Sequence, residues 1–225
     1  MGTQILSKTN RLFWLGRYVE RTLIEVNLMQ RAYDDSIDGE VMDYRGLCER
    51  LEIPCPYEDG HTFVYGFLFD KDYPYSVISS LGNAYDNAIV LREVLSSQAL
   101  SYIQMALNVM ENAALGLAPM LDLQGVQDYL YAFRGCSDDS ILDRHSRYTL
   151  KVGSTVERID MYVRLGCNAN TLPAEISRLW SRLQMTPLGR DGERLKVLMG
   201  LAANPDPVRN RELLIDCVEG LISDV

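Results

Sequence analysis

The sequence predicts an all-α fold, an antiparallel bundle of long helices with an internal helix repeat and shorter C-terminal helices. Three observations carry this. Apolar residues recur every three or four positions over long tracts. Only the aromatic run at 62–69 has strand character. The pattern G-x-x-V-E-R occurs twice, at Gly16 to Arg21 and at Gly153 to Arg158.

Taken in order, Ser7 or Thr9 is expected to cap a first helix that runs to about Tyr33, striped by Leu12, Leu15, Val19, Leu23 and Val26. The acid-rich stretch 34–43, with Gly39, reads as a loop. A short helix at 44–51 should stop before Pro54 and Pro56. Residues 62–69 fit either a strand or a short helix. From Ser76 a helical tract extends to Leu115, with Ser96-Ser97 as a kink or a division. A further helix covers 124–134, and Asp138 or Asp139 is expected to cap the next, which ends at Leu165. Three shorter helices follow near 173–183, 190–202 and 207–222, parted by Pro187, Gly189, Pro205 and Pro207. No Pro/Gly/Ser-rich linker interrupts the chain, so residues 1–225 read as one domain.

Composition removes several function classes. The formal charge is −9 and no Lys/Arg-rich run occurs, which argues against a surface that tracks nucleic-acid phosphates. No run approaches the ~20 apolar residues that span a bilayer. Arg11, Arg17 and Arg21 interrupt any signal-peptide core, so a cytoplasmic protein is expected. Five scattered cysteines form no CxxC pair and read as reduced thiols. His61 and His145 stand alone, which leaves a histidine metal site or a Ser–His pair without support. There is no Walker A loop, dinucleotide fingerprint or nucleophile elbow, and no cofactor is predicted. The cations are 18 Arg and 4 Lys. Arginine is favoured where a partly buried cation grips a carboxylate or an anion through two hydrogen bonds.

The repeat is the main candidate for a site. With an offset of 137, Leu12 to Leu28 and Thr149 to Leu165 share 6 of 17 residues. On a helix, Gly16 and Glu20 share a face, as do Gly153 and Glu157. Asp160 and Arg164 continue the face of Glu157. A glycine costs a helix interior about 1 kcal/mol relative to alanine, so two of them point to close approach by a neighbour. Glutamates beside Val19 and Val156 lie at a core edge and need partners, which Arg17, Arg21, Arg158 and Arg164 can supply. Three readings stand: an internal Arg–Glu network that fixes helix register, a polar pocket for an anionic or amino-acid-like ligand, and a carboxylate-bridged metal. The last lacks the Glu-x-x-His element of di-iron bundles, and the arginines oppose a cation. A second polar cluster, Asn87 with Arg92, reads either as a ligand contact or as a solvated face. Trp14, Trp180, Met105, Met110, Met120, Met161 and Met185 read as core residues. Gly189 to Gly192 reads as a turn into a helix whose N-terminus could take an anion.

Three stretches resemble the bacterial alpha-E family, long listed as a domain of unknown function. Leu12 to Arg21 is similar to the family's opening helix, roughly lyWlGRylERAe. Asn87-Ala88, Arg92-Glu93 and Ser96 fall on NARxvRexlSxExW. Gly153, Glu157, Arg158, Asp160, Met161 and Arg164 fall on lGRxlERADmtxR, and Tyr73 to Ser76 lies where the family has NPSS. The departures are Asn27, Ile89, Gln98, Leu100 and Ser154, where the family has arginine, arginine, an acid, an aromatic and arginine. The resemblance implies a setting beside circularly permuted ATP-grasp enzymes and transglutaminase-like peptidases, which make and trim amide bonds. It implies an ATP-grasp ligase-like partner that carries the nucleotide chemistry, with this chain as its non-catalytic or co-catalytic helical accessory subunit, holding an amino-acid or peptide-like ligand in the Glu20/Glu157/Arg164 pocket. The competing readings are an enzyme using Glu157 or Glu20 as general acid/base on a peptide-like substrate, and a homo-oligomeric scaffold.

Overall fold

A computed structural model describes residues 2–116, 118–202 and 209–223, with side chains from Lys8 onward. Among these residues there are ten α-helices and no β-strand; one isolated antiparallel bridge joins Arg190 to Ile222. The all-α expectation holds.

The first helix, α1 (Gly2–Ile37), starts upstream of Ser7 and Thr9, which lie inside it rather than capping it, and it runs past Tyr33. Helix α2 (Tyr44–Leu51) is capped by Asp43 and ends at Glu52, whose left-handed backbone (φ 58°) returns its N–H to Cys48 and Glu49 carbonyls. Residues 62–69 belong to a helix, α3 (Gly60–Phe69). The decisive local feature is a capping box: Asp59 accepts from the Thr62 N–H, and the Thr62 hydroxyl accepts from the Asp59 N–H.

The tract after Ser76 divides into α4 (Val77–Val90) and α5 (Ser97–Ala113). Ser96 has extended backbone and caps α5 through the Ala99 N–H, so it ends one helical path and begins another. Helix α6 (Pro119–Ser140) is longer than 124–134 at both ends. It absorbs Asp138 and Asp139, and the cap of α7 (Arg144–Leu165) is Asp143, three residues before the Ser146 N–H that it accepts from. Gly166 (φ 65°) closes α7. Helices α8 (Leu172–Leu183), α9 (Gly192–Ala202) and α10 (Arg211–Glu219) complete the chain. Asp191 caps α9 through the Glu193 and Arg194 N–H groups, so the chain's own carboxylate takes the place considered for an anion. Of the C-terminal boundary signals, Pro205 and Pro207 lie outside the described residues.

The chain divides into two compact units. One comprises residues 1–20 and 141–225. Its core joins Phe13 to the apolar faces of α7 (Val152, Val156, Ile159, Val163), α8 (Leu172, Ile176, Leu179, Leu183) and the two last helices (Leu195, Leu198, Leu214, Val218). The other comprises residues 21–140 and buries Leu81, Ala84 and Ala88 of α4, Ile103, Ala106 and Met110 of α5, and Val126, Leu130 and Phe133 of α6. Of the residues expected in the core, Met110 and Met161 are buried. Trp180 (45% exposed) and Met105 (43%) are not, which corrects that reading. Hydrophobic side chains are free to line a surface, so size and apolarity alone do not place them inside.

Candidate functional site

The two glycines of the repeat explain their own presence. A Cβ on Gly16 would overlap the Leu150 carbonyl, and one on Gly153 would overlap the Phe13 carbonyl. Leu150 stands three residues before Gly153, and Phe13 three before Gly16. Each copy therefore admits the same carbonyl of the other, and α1 and α7 cross at a locally two-fold contact. The Ser154 hydroxyl seals it by donating to Gly16 O (3.2 Å) and Leu150 O (3.3 Å).

One turn on, the glutamates enter the interior: Glu20 is 4% exposed and Glu157 0%. Arg17 Nε donates to Glu157 Oε2 at 2.5 Å, and its Nη2 reaches Asp160 Oδ2 at 3.5 Å. Arg158 Nε donates to Glu20 Oε1 at 2.7 Å. Each copy's glutamate is thus held by an arginine of the other. The two-fold is broken in the donors. The counterpart of Arg17 in the second copy is Ser154, too short to reach a carboxylate, and Arg158 serves Glu20 instead.

The network extends beyond the repeat. Arg158 Nη1 donates to both oxygens of Glu175 on α8 (3.2 and 3.3 Å), and Arg178 also grips Glu175. Arg164 Nε donates to Asp160 Oδ1 at 2.9 Å, and its Nη2 to Glu219 Oε1 of α10 at 2.5 Å. Buried Thr155 accepts from Arg182. The Arg17 guanidinium lies 5.0 Å from the Trp14 ring centroid, so its outer face is covered too.

The electrostatics follow from burial. Burial opposes the charge of Arg158, but the hydrogen bond and charge of Glu20, then Glu175, outweigh it and hold the guanidinium more firmly protonated than usual. Burial pushes the Asp160 carboxyl above its ordinary value, and the neighbouring Glu157 charge adds to this; Arg164 and Arg17 pull the other way. Among the described residues, no three His, Cys, Asp or Glu side chains come together as a metal site.

Six residues singled out in the sequence therefore meet: Arg17, Glu20, Glu157, Arg158, Asp160 and Arg164. Arg21 is the next residue along α1 and begins the other unit. Asn87 and Arg92 also belong to that unit. Asn87 donates to Asn83 O of its own helix (3.0 Å), and Arg92 is exposed in the turn after α4. Sequence reading missed Glu175, Glu219, Arg178 and Arg182. Glu175 had a signal: it sits on the apolar stripe Leu172, Ile176, Leu179, Leu183, where an acid demands a partner. At the departures from the family pattern, Asn27 donates to Leu23 O (2.8 Å), Gln98 to the Tyr102 hydroxyl (3.0 Å), and Ile89 is 39% exposed.

No helix among the described residues is long and apolar enough to cross a membrane. No curated protein and no solved structure matches the chain. A family does. Alpha-E, described as a predicted alpha-helical domain with a conserved ER motif, matches residues 5–186. That range holds three Glu-Arg dipeptides, and the pair at Glu49-Arg50 is exposed. The other two, Glu20-Arg21 and Glu157-Arg158, contribute the buried glutamates at the α1–α7 crossing, and with a match over most of its length the chain belongs to the Alpha-E family.

Proposed function

We propose that this chain is a non-catalytic helical partner in an ATP-grasp-type system that forms peptide or amide bonds. In this reading the Arg–Glu network is the lock that holds the α1–α7 crossing in register. The observation that carries the lock is the reciprocal pairing, Arg17 on Glu157 and Arg158 on Glu20, at the glycine contact. Carboxylates committed to arginine are poor general bases. The pairs instead suit a device that fixes one helix against another, since breaking one member strands a buried charge. The ligase side of the proposal rests on the three family-like stretches in their order along the chain. ATP chemistry belongs to the partner, and the setting is the bacterial cytoplasm.

The test is to purify the chain with an ATP-grasp ligase encoded beside it, then compare complex formation and ligase product with and without it. A stable complex and an altered product are expected. Neither appearing would sink the proposal. Size-exclusion mass in the same preparation reports a homo-oligomer.

A second reading is favoured by Asp160, whose carboxyl is held above its ordinary value by burial and by the neighbouring Glu157 charge, as a group set for acid–base work would be. It makes Glu157 or Glu20 the general acid/base on a peptide-like substrate. Glu157→Gln and Glu20→Gln separate the two readings: the lock predicts changed stability with unchanged ligase product in the folded fraction. The catalytic reading predicts lost turnover in protein that is still folded.

A further inference from the structure

A groove of about 460 Å³ lies between α4 and α5, in the unit formed by residues 21–140 and outside the Arg–Glu network. Its lining places opposite charges around an apolar floor. Ile78 and Leu107 supply the floor; Asp86, Glu111 and Lys71 supply the charges. Lys71 Nζ meets Glu111 Oε1 at 2.6 Å, with both side chains substantially exposed (65% and 41%). A surface pair of this kind contributes little and is readily exchanged for contacts to a ligand. Asp86 is exposed and has no cation beside it among the described residues.

Gly82 is an independent observation. It lies in the middle of α4, where glycine weakens a helix. Gly16 and Gly153 have backbone pressed against them; Gly82 has nothing within 4 Å of the place its Cβ would occupy. That place opens on the groove. The missing side chain leaves that stretch of the groove open.

We propose that this groove binds a small zwitterion of the aliphatic amino-acid class. Its ammonium faces Asp86 and Glu111, its carboxylate replaces Glu111 on Lys71, and its side chain lies over Gly82 against Ile78 and Leu107. The proposal goes beyond the ligase-partner reading, and either can fail alone.

The test is an NMR titration of the full chain with L-leucine, L-leucine methyl ester and N-acetyl-L-leucine. L-leucine is expected to shift the backbone amides of Gly82, Asn83 and Glu111 saturably at millimolar concentration. Each blocked form is expected to bind about tenfold more weakly or worse, having lost one charge contact. Asp86→Asn should weaken L-leucine by a similar factor. Gly82→Leu fills the groove from a position with open space around it and puts a stronger helix former there, so it should keep the fold and abolish the shifts. The assignment is overturned if L-leucine gives no saturable shifts, if they map elsewhere, or if Gly82→Leu retains them. It falls equally if either blocked form binds as well as the zwitterion.

Discussion

Residues 1–20 and 141–225 carry fifteen Lys/Arg against twelve Asp/Glu, whereas residues 21–140 carry seven against nineteen. The near-neutral unit buries its charges: Glu20, Glu157, Asp160, Arg164 and Glu175 are all under 9% exposed. In the acidic unit, Glu25 is the charged residue so buried among those described, and the groove charges face water. A buried charge must be matched in place, so the first unit's charges fix geometry. A surface charge is screened and exchangeable, so the second unit's charges can meet something else. Matched substitutions in the two units should therefore behave differently.

The largest effect is expected at Glu157. Glu157→Ala takes away the close partner of Arg17, leaving that largely buried guanidinium the 3.5 Å contact to Asp160, and should cost about 3 kcal/mol in urea denaturation. Removing both partners, Arg17→Met with Glu157→Leu, should recover much of that loss, because apolar groups of similar size need no pairing. If the double variant is as unstable as the two single losses summed, pairing is not what the residues contribute.

Next comes the glycine contact. Gly153→Ala drives a methyl into the Phe13 carbonyl, and backbone cannot yield as a side chain can. A loss of about 3 kcal/mol is expected. Gly16→Ala, against the Leu150 carbonyl, should match it, because the local two-fold makes the positions equivalent. Unequal losses would mean that the two-fold does not extend to the energetics.

Asp160 gives a pH signature. Its folded-state pKa is raised by burial and by Glu157, so between the ordinary and raised values the folded protein keeps a proton that the unfolded chain has lost. Stability from this group therefore falls as pH rises across that window and is level above it. Asp143 has the opposite sign: the Ser146 hydroxyl bond holds its pKa down, so its stabilisation is lost as pH falls through the folded value. Unfolding free energies of wild type and Asp160→Asn, measured across the acid range, should differ by an amount that declines with rising pH. A constant difference would remove Asp160 from the titration.

How much of this was legible depended on whether the signal was local. Helices α2 and α8 were bounded correctly because prolines and caps act within a turn. Helix α3 was ambiguous because an aromatic run satisfies both periods; Asp59 with Thr62 was the arbiter, and it is a spacing readable in sequence. Three aspartates preceded α7, and choosing among them required knowing that α6 continues to Ser140, a matter of packing. In the site, glycine and glutamate at helical spacing predicted close approach and buried acids. Which arginine meets which glutamate was not readable, since a guanidinium's partner is set by the crossing. Asn87 and Arg92 read as a second polar cluster, either a ligand contact or a solvated face, and they lie in the other unit.

The smallest effect is the one that sharpens the contrast most. Gly82→Ala adds the same methyl to the same kind of helix interior as Gly153→Ala, but into open space. Nothing is displaced, and the unfolded chain loses freedom, so a gain of about 0.5–1 kcal/mol is expected. The two substitutions share intrinsic propensity, and their difference, about 4 kcal/mol, isolates what the neighbouring backbone contributes at Gly153. A loss at Gly82 would show that its position is filled after all and would take the groove with it. A gain would show that this stretch of α4 is not used for packing, which is what an open groove wall requires.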